Sequence, residues 1–352
     1  MNDIKKIKWG IISEYRNEIY GISILSIIIF HFFEDFLNAP YSNNYLYIIG
    51  KFYNLIFRSV GVEIFLFMSG VCLYFSLKNN QNYKLFYKKR LKRILLPYMM
   101  FGGVFWFIKD ILISNMGLSD FLYDFSLVSF WASGNKNLWF IAFILIVYIV
   151  YPFIYIYFDD KNLNRRILKL VTSIIMLLFA IIMFRLFFNL EYARIEIALN
   201  RLLIVIIGSY YGYNVYNNLE FNCFDKLLLI IGIIIKLLSI LFFFNASNLF
   251  KLFNNRFAVA IWSLSLTVML TFLFEVLKNK HYLKALRFFS ILGEYSLELY
   301  LTHVSVRTIF NLLGIYTYNL INYLLCIFIS IFLSLILKKC VNNLSKLRKK
   351  DH

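Results

Sequence analysis

At 352 residues, 61% hydrophobic and 20% aromatic, with mean hydropathy +0.70, the chain carries more apolar surface than a water-soluble fold could cover. Its net charge of +18 could suit nucleic acid, but Lys and Arg gather in short segments between apolar runs, which argues against that partner. Cys72, Cys223, Cys326 and Cys340 show neither close pairing nor a His neighbour at ligand spacing, so no metal site and no disulfide framework are expected.

Roughly 20 apolar residues rising about 1.5 Å each cross a hydrocarbon core. On that measure the chain reads as an all-α, polytopic membrane protein with about ten spans, near 17–37, 55–77, 94–114, 137–157, 167–188, 201–216, 227–244, 257–277, 288–305 and 315–337. Connections are short, so residues 1–352 form a single integral membrane domain with basic tails at about 1–16 and 338–352. Lys5, Lys6 and Lys8 precede the first span. Lys78, Lys84, Lys88, Lys89, Arg90, Lys92 and Arg93 follow the second, and Lys161, Arg165 and Arg166 the fourth. Lys278, Lys280, Lys284 and Arg287 follow the eighth, and Lys338, Lys339, Lys346, Arg348, Lys349 and Lys350 the tenth. This positive-inside pattern places both termini in the cytoplasm, with Lys226 after the sixth span as its weakest point. The same basic loops suit anionic membrane lipids. No cleavage site follows the first apolar run, and no repeat divides the chain into inverted halves.

In chain order, the first candidate for chemistry is His31, inside the apolar run Ile19 to Phe36. An ionisable group in hydrocarbon costs several kcal/mol, so it turns to a partner or a wet cavity. It lies about 21 Å along span one. Arg16, Tyr20 and Ser23 share its face by helical spacing. In span two, Glu63 reaches the same outer half, and Ser69-Gly70 allows close backbone approach. In the segment from Tyr83 to Tyr98, Arg90, Arg93 and Pro97 share a face at the inner mouth of span three, where the planar arginine fork suits the phosphates of a soluble cosubstrate or of lipid headgroups. Arg185 near the outer end of span five is a further member. In span nine, Gly293, Ser296, Tyr300 and His303 recur at three or four residues. His31, His303 and Glu63 at one depth would make a proton-handling cluster. Such stripes either line a cavity or hold helices together, and periodicity does not choose between the two.

Five segments resemble the membrane-bound acyltransferase 3 family, whose members O-acetylate surface polysaccharides and related glycans. They are Ile19 to His31; Gly61-Val-Glu-Ile-Phe-Leu-Phe-Met-Ser-Gly70; the basic stretch Phe86 to Tyr98; Leu138-Trp-Phe-Ile141 with Tyr148 and Pro152; and Gly293-Glu-Tyr-Ser-Leu-Glu-Leu-Tyr-Leu-Thr-His303. Tyr20 stands where the family usually has Arg, with Arg16 one turn earlier on the same face. Asn137 stands where His often precedes Leu-Trp, and Glu63 replaces the commoner Asp. The resemblance implies acetyl-CoA as cytoplasmic donor cosubstrate, with no permanently bound cofactor, and a sugar hydroxyl on a cell-surface or lipid-linked glycan as acceptor. It implies His31, Glu63 and His303 as catalytic residues and Lys89, Arg90, Arg93 and Tyr98 as the donor site. Arg16, Tyr20, Ser69, Trp139, Ser296 and Tyr300 would line the cavity between. The expectation is a multi-pass O-acetyltransferase of the cell membrane. The alternative is a glycan or small-anion transporter or flippase of the same fold.

Overall fold

The computed structural model describes residues 8–39, 45–242 and 258–350. Lys5 and Lys6, part of the spans expected at 227–244 and 257–277, and the last two residues of the basic C-terminal tail lie outside them. Among the described residues the chain is helical, with one isolated antiparallel bridge, Lys8 with Glu220. The principal helices are α1 Arg16–Asn38, α2 Tyr45–Phe57, α3 Val60–Asn79, α4 Tyr83–Ile113, α5 Trp139–Phe158, α6 Leu163–Phe187, α7 Leu202–Tyr216, α8 Cys223–Phe242, α9 Val259–Asn279, α10 Leu283–Glu294, α11 Ser296–Leu312 and α12 Leu320–Lys350.

Seven stretches among the described residues are long and apolar enough to cross a membrane: α1, α2 with α3, α4, α5, α6, α9 and residues Leu320–Lys346 of α12. Three of the ten expected spans fall outside that set for separate reasons. Helix α7 has only 15 residues. Helix α8 carries Asp225, Lys226 and Lys236. The ninth breaks at Tyr295 into α10 and α11, of 12 and 17 residues.

The basic segment Tyr83 to Tyr98 is helical and runs directly into the third span. Asn82 starts it, its side chain accepting from Leu85 N–H at 3.0 Å. Pro97 brings no N–H to the ladder, and the helix widens into π turns over Tyr98–Gly102 and Phe107–Ile113.

Helices α1 and α10 meet backbone to backbone. A Cβ on Gly21 would lie 1.9 Å from the carbonyl oxygen of Phe289, and one on Gly293 would lie 1.9 Å from that of Asn17. Small residues at such a crossing let main chains pack where lipid supplies no hydrophobic drive. Replacing Gly293 by valine should force α10 off α1 and cost about 1–3 kcal/mol or more. A lowered thermal midpoint in detergent would register this, and an unchanged midpoint would refute it.

One end of the bundle collects the basic segments. Lys78 pairs with Asp159 at 3.0 Å, Tyr216 donates to Asn79 at 2.9 Å, Lys278 lies over the Tyr15 ring at 5.8 Å, and Lys338 donates to the Glu294 carbonyl at 2.7 Å. Partial burial opposes ionisation of Asp159. Hydrogen bonds from Tyr74, Lys78 and Tyr155 overcome it and hold the carboxyl below its ordinary range. His31, Arg201 and Arg307 lie toward the other end, and between the two ends the interior is not filled.

Candidate active site

At the basic end a cavity of about 640 Å³ opens between α1, α3, α4, α10 and α12. Arg16, Arg90, Arg93 and Lys338 contribute cations to its wall, beside Asn17, Ser76 and Asn79. Arg90 donates to the Cys72 carbonyl at 3.2 Å, which fixes its guanidinium against α3. Lys338 donates to the Glu294 carbonyl and lies 3.2 Å from the Glu298 carboxylate, tying α12 to the break between α10 and α11. Lys89 is exposed and lines no part of this wall. Tyr98, expected beside it, is buried in the core. Its hydroxyl donates to the Phe125 carbonyl at 2.6 Å and accepts from Trp106 at 3.1 Å, and its ring stacks on Phe125. Tyr98 thus anchors Phe125 against α4, and the wall of the basic cavity carries the arginines instead.

A narrow space of about 70 Å³ follows toward the other end. It shares Tyr20, Cys72, Arg90 and Arg93 with the basic cavity. Ser69 and Ser296 line it, and Phe65, Phe140 and Tyr300 close around it, with Phe140 and Tyr300 edge to face at 5.3 Å between centroids. Tyr20 donates to Cys72 Sγ at 3.7 Å, so this tyrosine sits at the junction of the two spaces. Arg16, one turn below on α1, supplies the cation at the mouth.

Ile27, Val62 and Tyr300 also line a third cavity of about 370 Å³. Its wall carries His31, Glu34, Trp139, Arg201 and Arg307. His31 lines this cavity with 19% of its side chain exposed. Two groups meet its Nδ1, namely Arg307 Nη1 at 2.9 Å and Glu34 Oε2 at 3.2 Å. Arg307 also donates to Glu34 at 3.0 Å and holds Asp35 through Nε at 2.7 Å, with a second, close contact from Nη2. Asp35 is braced in turn by Thr317 at 2.5 Å. A guanidinium can only donate, so while Arg307 touches Nδ1 the neutral ring keeps its proton on Nε2. With the proton on Nδ1 instead, the ring would donate to Glu34 and Nε2 would be the accepting atom.

His303 lies behind His31, with ring centroids 5.7 Å apart, fully buried and outside the cavity wall. Tyr323 donates its hydroxyl proton to the Ile28 carbonyl, so its oxygen accepts from His303 Nε2 at 3.1 Å. Nδ1 of His303 is buried with no hydrogen-bond partner among the described residues. His303 is therefore placed to support the α1–α11 contact under His31, at one remove from the cavity. Glu63 lies 3.6 Å from Arg201, whose guanidinium covers the Trp139 ring at 4.8 Å. The carboxylate on His31 is Glu34, one turn along its own helix. Arg185 lines none of these cavities and lies over Tyr192 at 5.9 Å.

Sequence reading thus missed Glu34, Arg307 and Lys338. The first two were within reach, since Glu34 is three residues past His31 and Arg307 four past His303, each on the face already assigned inward. Nothing local marks Lys338. No match to a curated protein or to a solved structure was found. A family model described as an acyltransferase domain, Acyl_transf_3, matches residues 21–339, from just after Tyr20 to just past Lys338. The chain, with its apolar helices and a histidine in a cavity between them, belongs to the acyltransferase 3 family of membrane acyltransferases.

Proposed function

We propose that the chain moves an acetyl group from cytoplasmic acetyl-CoA to a sugar hydroxyl of a glycan presented at the outer face of the cell membrane, crossing the bilayer about ten times with both termini inside. The observation that carries this reading is the file of three spaces with shared walls, which joins Arg16, Arg90 and Arg93 at one end to His31 at the other. From Tyr20 to His31 is eleven residues of one helix, about 16 Å. A pantetheine arm has about that reach, so a donor with its phosphates on the arginines would set its thioester near His31.

In this mechanism Glu34 holds Nδ1–H of His31, and Nε2 takes the proton of the attacking hydroxyl, as a general base does. The hydroxyl oxygen bonds to the thioester carbon, the carbon–sulfur bond breaks, and the proton returns to the departing thiolate of CoA. Tyr300, at the boundary of the waist and the outer cavity, is placed to donate to the developing oxyanion. His303 and Tyr323 keep α11 and α12 against α1 beneath the base. Arg201, with Glu63 behind it and Trp139 under it, shapes the acceptor side. The waist of about 70 Å³ is far smaller than the cavities of about 640 and 370 Å³ on either side, which favours passage of a thin acyl-carrying arm over that of a sugar chain.

Purified protein supplied with radiolabelled acetyl-CoA and surface glycan should transfer label to the glycan and release free CoA. Retention of all label in acetyl-CoA, with glycan passing across vesicles instead, would replace this reading by transport.

A further inference from the structure

Building on the acyl-transfer reading, we propose that the waist filters the donor's acyl group by cross-section, with Phe140 as the specificity-determining residue: unbranched acyl groups pass toward His31 and branched ones do not. In the proposed reaction the acyl end of the donor crosses the waist ahead of the arm. The space narrows there from about 640 Å³ to about 70 Å³ before it reopens to about 370 Å³. Rings from four helices build the constriction. Tyr20 of α1 lies 5.3 Å from Phe65 of α3, Phe65 meets Phe140 of α5 edge on at 6.3 Å, and Phe140 meets Tyr300 of α11 edge on at 5.3 Å. Where the waist gives onto the third cavity, the shared wall is Ile27, Val62 and Tyr300.

Such a wall resists widening. Aromatic rings in contact favour tilted and edge-to-face arrangements, and β-branched Ile27 and Val62 have little rotamer freedom on their helices. Helices α1 and α3 already approach closely beside the waist, since a Cβ on Gly61 would lie 2.6 Å from the carbonyl oxygen of Ser23. An unbranched acyl group asks for no more width than the thioester arm that follows it. A methyl branch asks for more at the narrowest point, where a packed wall yields only at a cost. Phe140 is half-buried and stands in the middle of the file of rings, so shortening it opens the wall between Phe65 and Tyr300.

The test gives the purified full-length protein surface glycan extracted from matched cells that lack the chain. The donor is pentanoyl-CoA or its isomer 3-methylbutanoyl-CoA, with acetyl-CoA as reference. The isomers carry the same atoms and differ by one branch set back from the reacting carbonyl. Release of free CoA should be about tenfold or more faster, as kcat/KM, with the unbranched isomer. Phe140→Ala should bring that ratio toward one, and Phe140→Leu, which keeps more of the packing, should lower it part of the way. Each ratio is taken within one preparation, so a loss of folded protein cancels from it. Equal use of both isomers by the unaltered protein, rejection of both while acetyl is transferred, or a ratio that neither substitution moves would overturn the proposal. If labelled acetyl-CoA yields no labelled glycan, acyl transfer itself is refuted, which separates that failure from this one.

Discussion

His31→Ala is expected to lower glycan acylation by roughly 10²–10⁴, the range a positioned general base contributes, with the amount of protein in the membrane unchanged. The fold should tolerate the loss, because Arg307 keeps its contacts to Asp35 and Glu34 without the imidazole. Glu34→Gln should cost less. It retains a polar group at Nδ1 but removes the charge that favours Nδ1–H, so the ring spends more time with its proton on the wrong nitrogen. Ester content measured by mass, normalised to protein by immunoblot, distinguishes the two variants. Undiminished transfer by His31→Ala would remove the imidazole from the mechanism. A larger loss for Glu34→Gln than for His31→Ala would mean that Glu34 acts on substrate directly.

Much of this arrangement is readable from spacing because helices impose a period on what faces inward. Arg16, Tyr20 and His31 recur along α1 and line, in that order, the basic cavity, the waist and the third cavity. Ser296 and Tyr300 do the same along α11. Spacing fails where the partner comes from another part of the chain. Glu63 lies at a suitable depth to polarise His31, yet depth says nothing of azimuth, and its carboxylate meets Arg201. Asp35 and Arg307 are 272 residues apart, and only the packing of α11 on α1 brings them together. Tyr98 illustrates a different limit. The resemblance places it beside the arginines, but five residues of α-helix already turn it about 140° from Arg93, so its ring faces inward. Span counting has a comparable weakness: α7 is short, and α10 and α11 break where Tyr295 interrupts them.

Arg90→Ala combined with Arg93→Ala is expected to weaken acetyl-CoA binding by roughly tenfold to a hundredfold per arginine, since hydrogen bonds between charged groups are worth about 1.5–3 kcal/mol each. Both side chains line the basic cavity and the waist, where the arm of the proposed donor would enter. Lysine at both positions should restore part of the affinity, because charge returns while the planar two-pronged fork does not. Lys89→Ala is the informative comparison. It removes a cation from the same helix that lines no cavity, so donor affinity should stay as it is. Binding measured by calorimetry on purified protein, at two salt concentrations, reads all three. If the arginine pair and Lys89 behave alike, or if donor affinity is untouched throughout, these arginines hold the helix to lipid headgroups and the donor enters elsewhere.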